Sequence, residues 1–387
     1  MTRHTLLTLT MTLMLTACGD DRVVVGDAMA PDSGVSSDRG PSPDRGPLSD
    51  AKHPPDAKRP PDATPKPDVG TGPCTGPVPA TWKYKTGEAY FGRNNYIEFI
   101  AGDLPVVISS PHGGSLKPSE IKDRTYGVLG SDSNSQEYTR EVAHYLLKLT
   151  GRRPHMIINR LYRKKLDANR EIKEACQGDK WSEQAWTEYH KYINDARAWI
   201  ASRCGKGHYL DFHTNAHDAK WVEMGQMLSA TDLNRSDSAL NDAAFITKST
   251  VRALAKLPGR TLADIVRGPH SLGALLMGRG YKAVPSPKYP HPAGQGYFSG
   301  GYNTNRHGSR SSGTIDGTQV ETYWDMINSL SERDEYSYKL ALSIRDFVEH
   351  HYLWKLKDQT WSPPVHQVCL SAKPLPLVAG QATVNGT

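Results

Sequence analysis

The first 73 residues contain no aromatic side chain, although the 387-residue chain carries 8 tryptophans, 18 tyrosines and 6 phenylalanines. Residues 19–73 are dense in Pro, Asp, Ser and Lys, with near-repeats such as Pro54-Pro55-Asp56-Ala57-Lys58 and Pro60-Pro61-Asp62-Ala63, and cannot bury enough surface to fold. Proline-rich chain extends by roughly 3 Å per residue, so the segment reads as a disordered tether able to hold a domain on the order of 100 Å from its attachment. A membrane span is missing there too. The apolar stretch at 6–15 is too short to cross a bilayer and follows Met1-Thr2-Arg3-His4 as the core of a secretory signal does. It ends in Leu15-Thr16-Ala17-Cys18-Gly19, small residues before a cysteine as in the bacterial lipobox. Residues 1–18 are therefore expected to be a lipoprotein signal peptide, with Cys18 lipidated and the mature protein exported and anchored at the bacterial cell envelope.

Cysteine is scarce, five in all, and no two have zinc-finger spacing. Lipidation accounts for the odd one. Cys74, Cys176, Cys204 and Cys369 remain, in an oxidising compartment where pairing is expected, and four cysteines allow three pairings. The expectation is Cys74 with Cys369, clamping the two ends of the domain, and Cys176 with Cys204, closing the base of a helical excursion. A basic block is absent as well. The net charge is +6, but both signs are mixed and the basic runs are short, such as Arg163-Lys164-Lys165, which argues against a nucleic-acid partner. No Gly-x-Ser-x-Gly elbow marks a serine hydrolase.

What is present lies in residues 74–387, long enough for one large domain with a sizeable core. Strand-like runs fall at 96–100, 105–109, 155–159, 207–213, 222–229, 282–284 and 317–323, and helix-like segments at 135–149, 183–202, 237–256 and 335–354. This alternation predicts an α/β fold, a three-layer α/β/α sandwich around a mostly parallel or mixed sheet. Residues 285–312, rich in Gly, Ser, Asn and Pro, show no periodicity, and a loop of that length in a compact domain is usually functional.

The apolar run Leu104-Pro105-Val106-Val107-Ile108 leads straight into Pro111-His112-Gly113-Gly114, which puts His112 where a strand becomes a loop, the edge at which α/β sheets bind ligands. The glycine pair reads as a sharp turn behind it. A second histidine closes His208-Tyr209-Leu210-Asp211-Phe212-His213, where alternation sets Asp211 and His213 on one side of the strand. Two such histidines can converge on Zn2+, with Asp211 accepting from the far ring nitrogen and a carboxylate as third ligand. Glu120 is the first candidate for that carboxylate, with Asp132 and Glu137 behind it. Asn169-Arg170, after another strand, suits capture of a substrate carboxylate. Glu321, inside a late strand, suits a general base if it faces a metal-bound water. His307 is a further candidate for lining the site, whereas His217 and His270 read as structural or solvated.

Pro111-His112-Gly113-Gly114, Asp132-Ser133-Asn134, Leu166-Asp167-Ala168-Asn169-Arg170, Asp211-Phe212-His213, Ser271-Leu272-Gly273 and Gln319-Val320-Glu321 occur in the order seen in the N-formylglutamate amidohydrolase-like family, which the sequence resembles over roughly residues 95–350. The resemblance implies a fold related to the zinc carboxypeptidases. It also implies His112, Glu120 and His213 as ligands, Asn169 and Arg170 as substrate binders and Glu321 as base, although eight residues between His112 and Glu120 depart from the short spacing of the carboxypeptidases. The expected activity is zinc-dependent hydrolysis of a C–N amide or peptide bond. Formylglutamate itself suits an exported protein poorly, because histidine breakdown is cytoplasmic; a cell-wall peptide or γ-glutamyl amide fits better. The alternative is a noncatalytic surface binding protein that keeps the fold.

Overall fold

The computed structural model describes residues 74–356; the expected signal peptide, the tether and Cys369 lie outside the described residues. Eight strands form one mixed sheet: β1 (Ala89–Phe91), β2 (Ile97–Ile100), β3 (Val106–Ser110), β4 (His155–Asn159), β5 (Gly207–Asn215), β6 (Val222–Gly225), β7 (Ala283–Val284) and β8 (Ile315–Tyr323), in the order β1-β2-β4-β3-β5-β8-β6-β7. The central four, β4, β3, β5 and β8, are parallel, and their near-continuous burial is what strands covered on both faces require. Antiparallel pairs flank them, β1 and β2 on one margin and β6 against β8 on the other.

Alternation sorts the side chains into two cores. Val106, Ile108, Leu210, Phe212 and Val320 pack with Tyr138, Val142 and Leu146 of the helix Ser135–Thr150 and with Tyr336, Leu340 and Ile344 of the helix Leu330–Tyr352. Val107, Ile157 and Tyr209 face Ala185, Tyr189, Ile193 and Ile200 of the helix Lys180–Cys204. Each long helix buries residues three and four apart, which is why it lies along the sheet. Their ends are set by chemistry. Asp179 accepts from the Trp181 and Ser182 backbone N–H groups, Ser329 and Glu332 form a capping box, and Gly151 and Gly205 stop two helices in the left-handed region. The result is the expected three-layer α/β/α sandwich.

The segment 237–256 was expected as one helix and is three short ones, Asp237–Leu240, Ala243–Lys248 and Arg252–Ala255. Ser236 caps the first, Asn241-Asp242 and Ser249-Thr250 interrupt, and the Thr250 backbone is bonded instead to Gln226 and Gly317. The long segment 285–312 contains one helix, Tyr302–His307, and folds back on the sheet through Met227 N–H to Ser299 O (2.6 Å).

The cysteine pairing differs from expectation. Cys74 is bonded to Cys204, and Cys176 is a buried free thiol whose pKa burial pushes up to about 12. The reason is where the entering chain runs: Gly76 N–H donates to Arg203 O at 2.8 Å and Ser202 Oγ to Pro77 O at 2.8 Å, so residues 74–77 lie along the end of the helix Lys180–Cys204. Cys176, at the end of the short helix Ile172–Cys176, is enclosed in the core under that helix instead.

Because β3 is followed by a helix on one face and its neighbour β4 by a helix on the other, the chain parts at their C-terminal ends, the position at which open α/β sheets form their ligand crevice.

Candidate metal and catalytic centre

His112 lies two residues past β3, and the glycines behind it have ordinary backbone angles. Their role is close approach: a Cβ on Gly113 would stand 2.4 Å from Ser135 Oγ and one on Gly114 2.2 Å from Leu161 O. The pair therefore seats the His112 loop between the start of the helix Ser135–Thr150 and the exit of β4, rather than forming a left-handed turn. His213, on β5, faces the same crevice, with the two rings 4.9 Å apart.

Asp132 lies between them. Its Oδ2 is 3.3 Å from His112 Nδ1 and 3.1 Å from His213 Nδ1, and its Oδ1 accepts from Arg163 Nη1 at 3.3 Å. The far nitrogens are held by two more buried carboxylates, His112 Nε2 by Asp167 (2.6 Å) and His213 Nε2 by Asp211 (2.9 Å). Asp211 is itself held by Ser109 Oγ at 2.5 Å, and Asp167 by Arg163 Nε at 3.0 Å. One ligand atom from each of His112, Asp132 and His213 lies within 4.8 Å of the others, and all three residues are buried.

This donor set fits a metal ion. With both Nε2 atoms turned to Asp167 and Asp211, both Nδ1 atoms and an Asp132 oxygen face one another, and the positive charge these carboxylates call for is carried there either by a proton on Nδ1 or by a metal ion in its place. The electrostatics say the same. Burial would favour protonated Asp132, yet His112 and His213 hold it far below the usual carboxylate range; burial opposes charge on His213, yet Asp211, Glu321 and Asp132 hold it well above the usual histidine range. Burial likewise fails to protonate Asp167, which His112 and Arg163 keep well below its ordinary value.

The neighbouring strand supplies the next row. Register puts Glu321 beside His213 and Gln319 beside Asp211, with Glu223 of β6 on the other flank of Glu321. Burial raises Glu321 to about 8, with Asp132 and Glu223 adding to the rise and His213 opposing it. Gln319 Nε2 donates to its Oε1 at 2.7 Å. Asn169 Nδ2 stands 3.4 Å from His213 Nε2, and its Oδ1 accepts from Asn303 N–H at 2.8 Å, tying segment 285–312 to the crevice. Arg170, half-buried next to it, donates to Glu174 and to the Asn169 carbonyl.

Two expected site residues are elsewhere. Glu120 accepts from Arg93, Asn94 and Tyr96, which hold it at about 2, Arg93 contributing most; three donors from the β1–β2 connection have taken it away from the histidines. His307 is buried with its Nε2 2.8 Å from His190 Nδ1 and its ring against Tyr209, two positions down β5 from Asp211. Glu137, the other alternative ligand, is exposed in the first turn of Ser135–Thr150. Asp132 takes the place held open for a carboxylate. Asp167, Arg163 and Glu223 were not among the expected site residues; an acidic residue two before Asn169 was the available signal. His217 pairs with Glu223 at 2.6 Å on the rim.

No family model matches the sequence, and no curated protein matches it either. Among solved structures, the chain is similar to a gene product of Agrobacterium tumefaciens at 12% identity, covering 66% of this chain and 95% of that one with a TM-score of 0.41. It is similar to the N-formylglutamate amidohydrolase of Ralstonia eutropha JMP134 at 11% identity, covering 65% of this chain and 95% of that one, TM-score 0.41. The CwlD amidase of Clostridioides difficile, solved with the GerS lipoprotein, matches at 10% identity over 63% of this chain and 98% of its own, TM-score 0.25. The superpositions are partial, and what this site can do is carried by its own side chains.

Proposed function

We propose that this protein is a metal-dependent hydrolase of C–N amide bonds, most simply a zinc enzyme, acting on substrates that carry a free carboxylate. The observation that carries the reading is the convergence of two histidine Nδ1 atoms and Asp132 while Asp167 and Asp211 take the opposite ring nitrogens. Two imidazoles and one carboxylate are a donor set that suits zinc. When bound there, the ion would polarise the scissile carbonyl and lower the pKa of a water. Asp167 and Asp211 fix the tautomers and ring orientations of His112 and His213. Glu321 takes the proton of the attacking water and delivers it to the leaving nitrogen. Arg170, whose ion-pair partner among the described residues is the half-exposed Glu174, would exchange it for the substrate carboxylate, beside Asn169.

The test uses full-length protein, stripped with a chelator and reloaded with Zn2+, against amides with and without a free carboxylate. Arg170→Ala should raise KM by about 10–100-fold for the first set, the scale of a lost charge-assisted hydrogen bond, and leave the second nearly unchanged. Equal losses on both sets would remove the carboxylate role, and no turnover of any amide by the zinc-loaded protein would remove the reading itself.

The lipobox at Cys18 and the tether 19–73 support an enzyme held at the cell envelope by lipid, where cell-wall peptides and γ-glutamyl amides are the accessible substrates. Among the described residues no helix is long and apolar enough to cross a membrane. Expressed in a bacterial host, the protein should take up labelled fatty acid and sediment with membranes, and Cys18→Ser should do neither; equal labelling of both would sink the anchor.

A further inference from the structure

The C-terminal end of the helix Leu330–Tyr352 brings two adjacent histidines, His350 and His351, against Asp264 in the first turn of the helix Leu262–Arg267. One ligand atom from each lies within 4.8 Å of the other two. The cluster is remote from the crevice. Tyr352, next to His351, donates to the carbonyl of Gly207, the first residue of β5, whereas His213 lies six residues further along that strand, roughly 20 Å away at the usual rise.

Tautomer chemistry singles out one donor atom. His351 is 1% exposed and its Nε2 is 3.1 Å from the His270 carbonyl. A carbonyl only accepts, so that nitrogen carries the hydrogen and Nδ1 carries the lone pair. Nδ1 is buried and has no hydrogen-bond partner among the described residues. An orphaned buried acceptor is destabilising unless something beyond those residues takes it up. A backbone carbonyl on the far nitrogen is also the arrangement that orients metal-ligating histidines. The second ring is held as well: His350 stacks on His270 at 3.7 Å and meets His351 edge-on at 4.8 Å.

We propose that Asp264, His350 and His351 form a second metal site, taking one divalent ion of the borderline class, Zn2+, Co2+, Ni2+ or Cu2+, and clamping the end of the long C-terminal helix to the helix Leu262–Arg267. Two imidazoles with one carboxylate favour these ions over Mg2+ and Ca2+, which prefer all-oxygen shells. A cation there also complements the negative end of a 23-residue helix. Arg260, whose guanidinium donates to the carbonyls of His350 and His351 at 2.7 and 3.1 Å, holds the two residues in place and opposes the ion by its charge. Water fills the remaining positions, and the role is structural.

The experiment titrates full-length protein with Co2+ and with Zn2+ alone and reads stoichiometry, the visible Co2+ bands and the thermal midpoint. The His112→Ala/His213→Ala variant, which lacks the crevice ligands, should still bind one ion and gain thermal stability from it. Adding Asp264→Asn or His350→Ala, both at partly exposed positions, should weaken that binding by about 10-fold or more and abolish the thermal gain. If the double variant fails to fold, Asp264→Asn and His350→Ala in the otherwise unchanged protein should each remove one of two equivalents and leave amidase turnover intact. Binding and thermal response unchanged by either substitution would overturn the proposal while leaving the crevice site untouched. An ion lost with His350→Ala but kept in the His112→Ala/His213→Ala variant would uphold it even if the crevice held no metal.

Discussion

Glu321→Gln is expected to keep the metal of the His112–Asp132–His213 centre and to lose amide turnover by about 10²-fold or more, the usual scale for removing a general base. Gln has nearly the shape of Glu, so the buried hole stays filled, and the donor set is unaltered because Glu321 is not one of the converging ligands. Its position argues for the base role: it is the strand neighbour of His213 and has Gln319 on one oxygen only. In the protein alone burial lifts it to about 8. It becomes the working carboxylate once positive charge at the adjacent cluster offsets that penalty. Glu223, the nearest substitute, cannot take over. Its Oε1 is engaged by His217 and Trp221 and its Oε2 by the Phe298 N–H at 2.6 Å. Metal analysis alongside steady-state kinetics decides the matter: undiminished turnover rejects the base, and metal lost together with turnover makes Glu321 a ligand instead.

The parts of this centre that were legible in the sequence are those governed by local rules. An apolar strand that ends in a histidine places it at the sheet edge, which gave His112 and His213, and two-residue alternation gave the Asp211–His213 pairing. The long helices were legible for the same reason, as a 3.6-residue pattern continued over many turns. What was missed, or ranked second as Asp132 was behind Glu120, depends on chain that comes together only in three dimensions. Asp132 reaches the histidines because its loop folds back on the His112 backbone, with Asp132 N–H on His112 O at 3.3 Å. Asp167 and Arg163 arrive from the exit of β4. Glu120 is nearer to His112 in sequence than Asp132 is, but Arg93 and Tyr96 offer it better partners. The Cys74–Cys204 bond follows from the course of the entering chain along a helix end, for which no local pattern exists.

Removing any of the three converging donors should release the crevice metal, and removing Glu120 should not. His112→Ala and His213→Ala each leave two protein ligands, and Asp132→Ala also leaves two Nδ1 lone pairs facing a cavity with no anionic partner; each should lower Zn2+ affinity by more than the about 10–100-fold typical of losing an outer partner. Asp167→Asn sets that outer scale in the same protein, since it touches the ion only through the His112 ring. Glu120→Ala breaks contacts to Arg93, Asn94 and Tyr96 and has no route to the ion. Affinities measured by competition with a chelator, in the His350→Ala background so that one site is read at a time, and circular dichroism to confirm folding, separate the cases. The expected order of loss is Asp132→Ala beyond Asp167→Asn, with Glu120→Ala at the wild-type value. A protein that kept its zinc after Asp132→Ala and lost it after Glu120→Ala would return the third ligand to the loop glutamate, and the reading of Asp132 as the bridging carboxylate would be wrong.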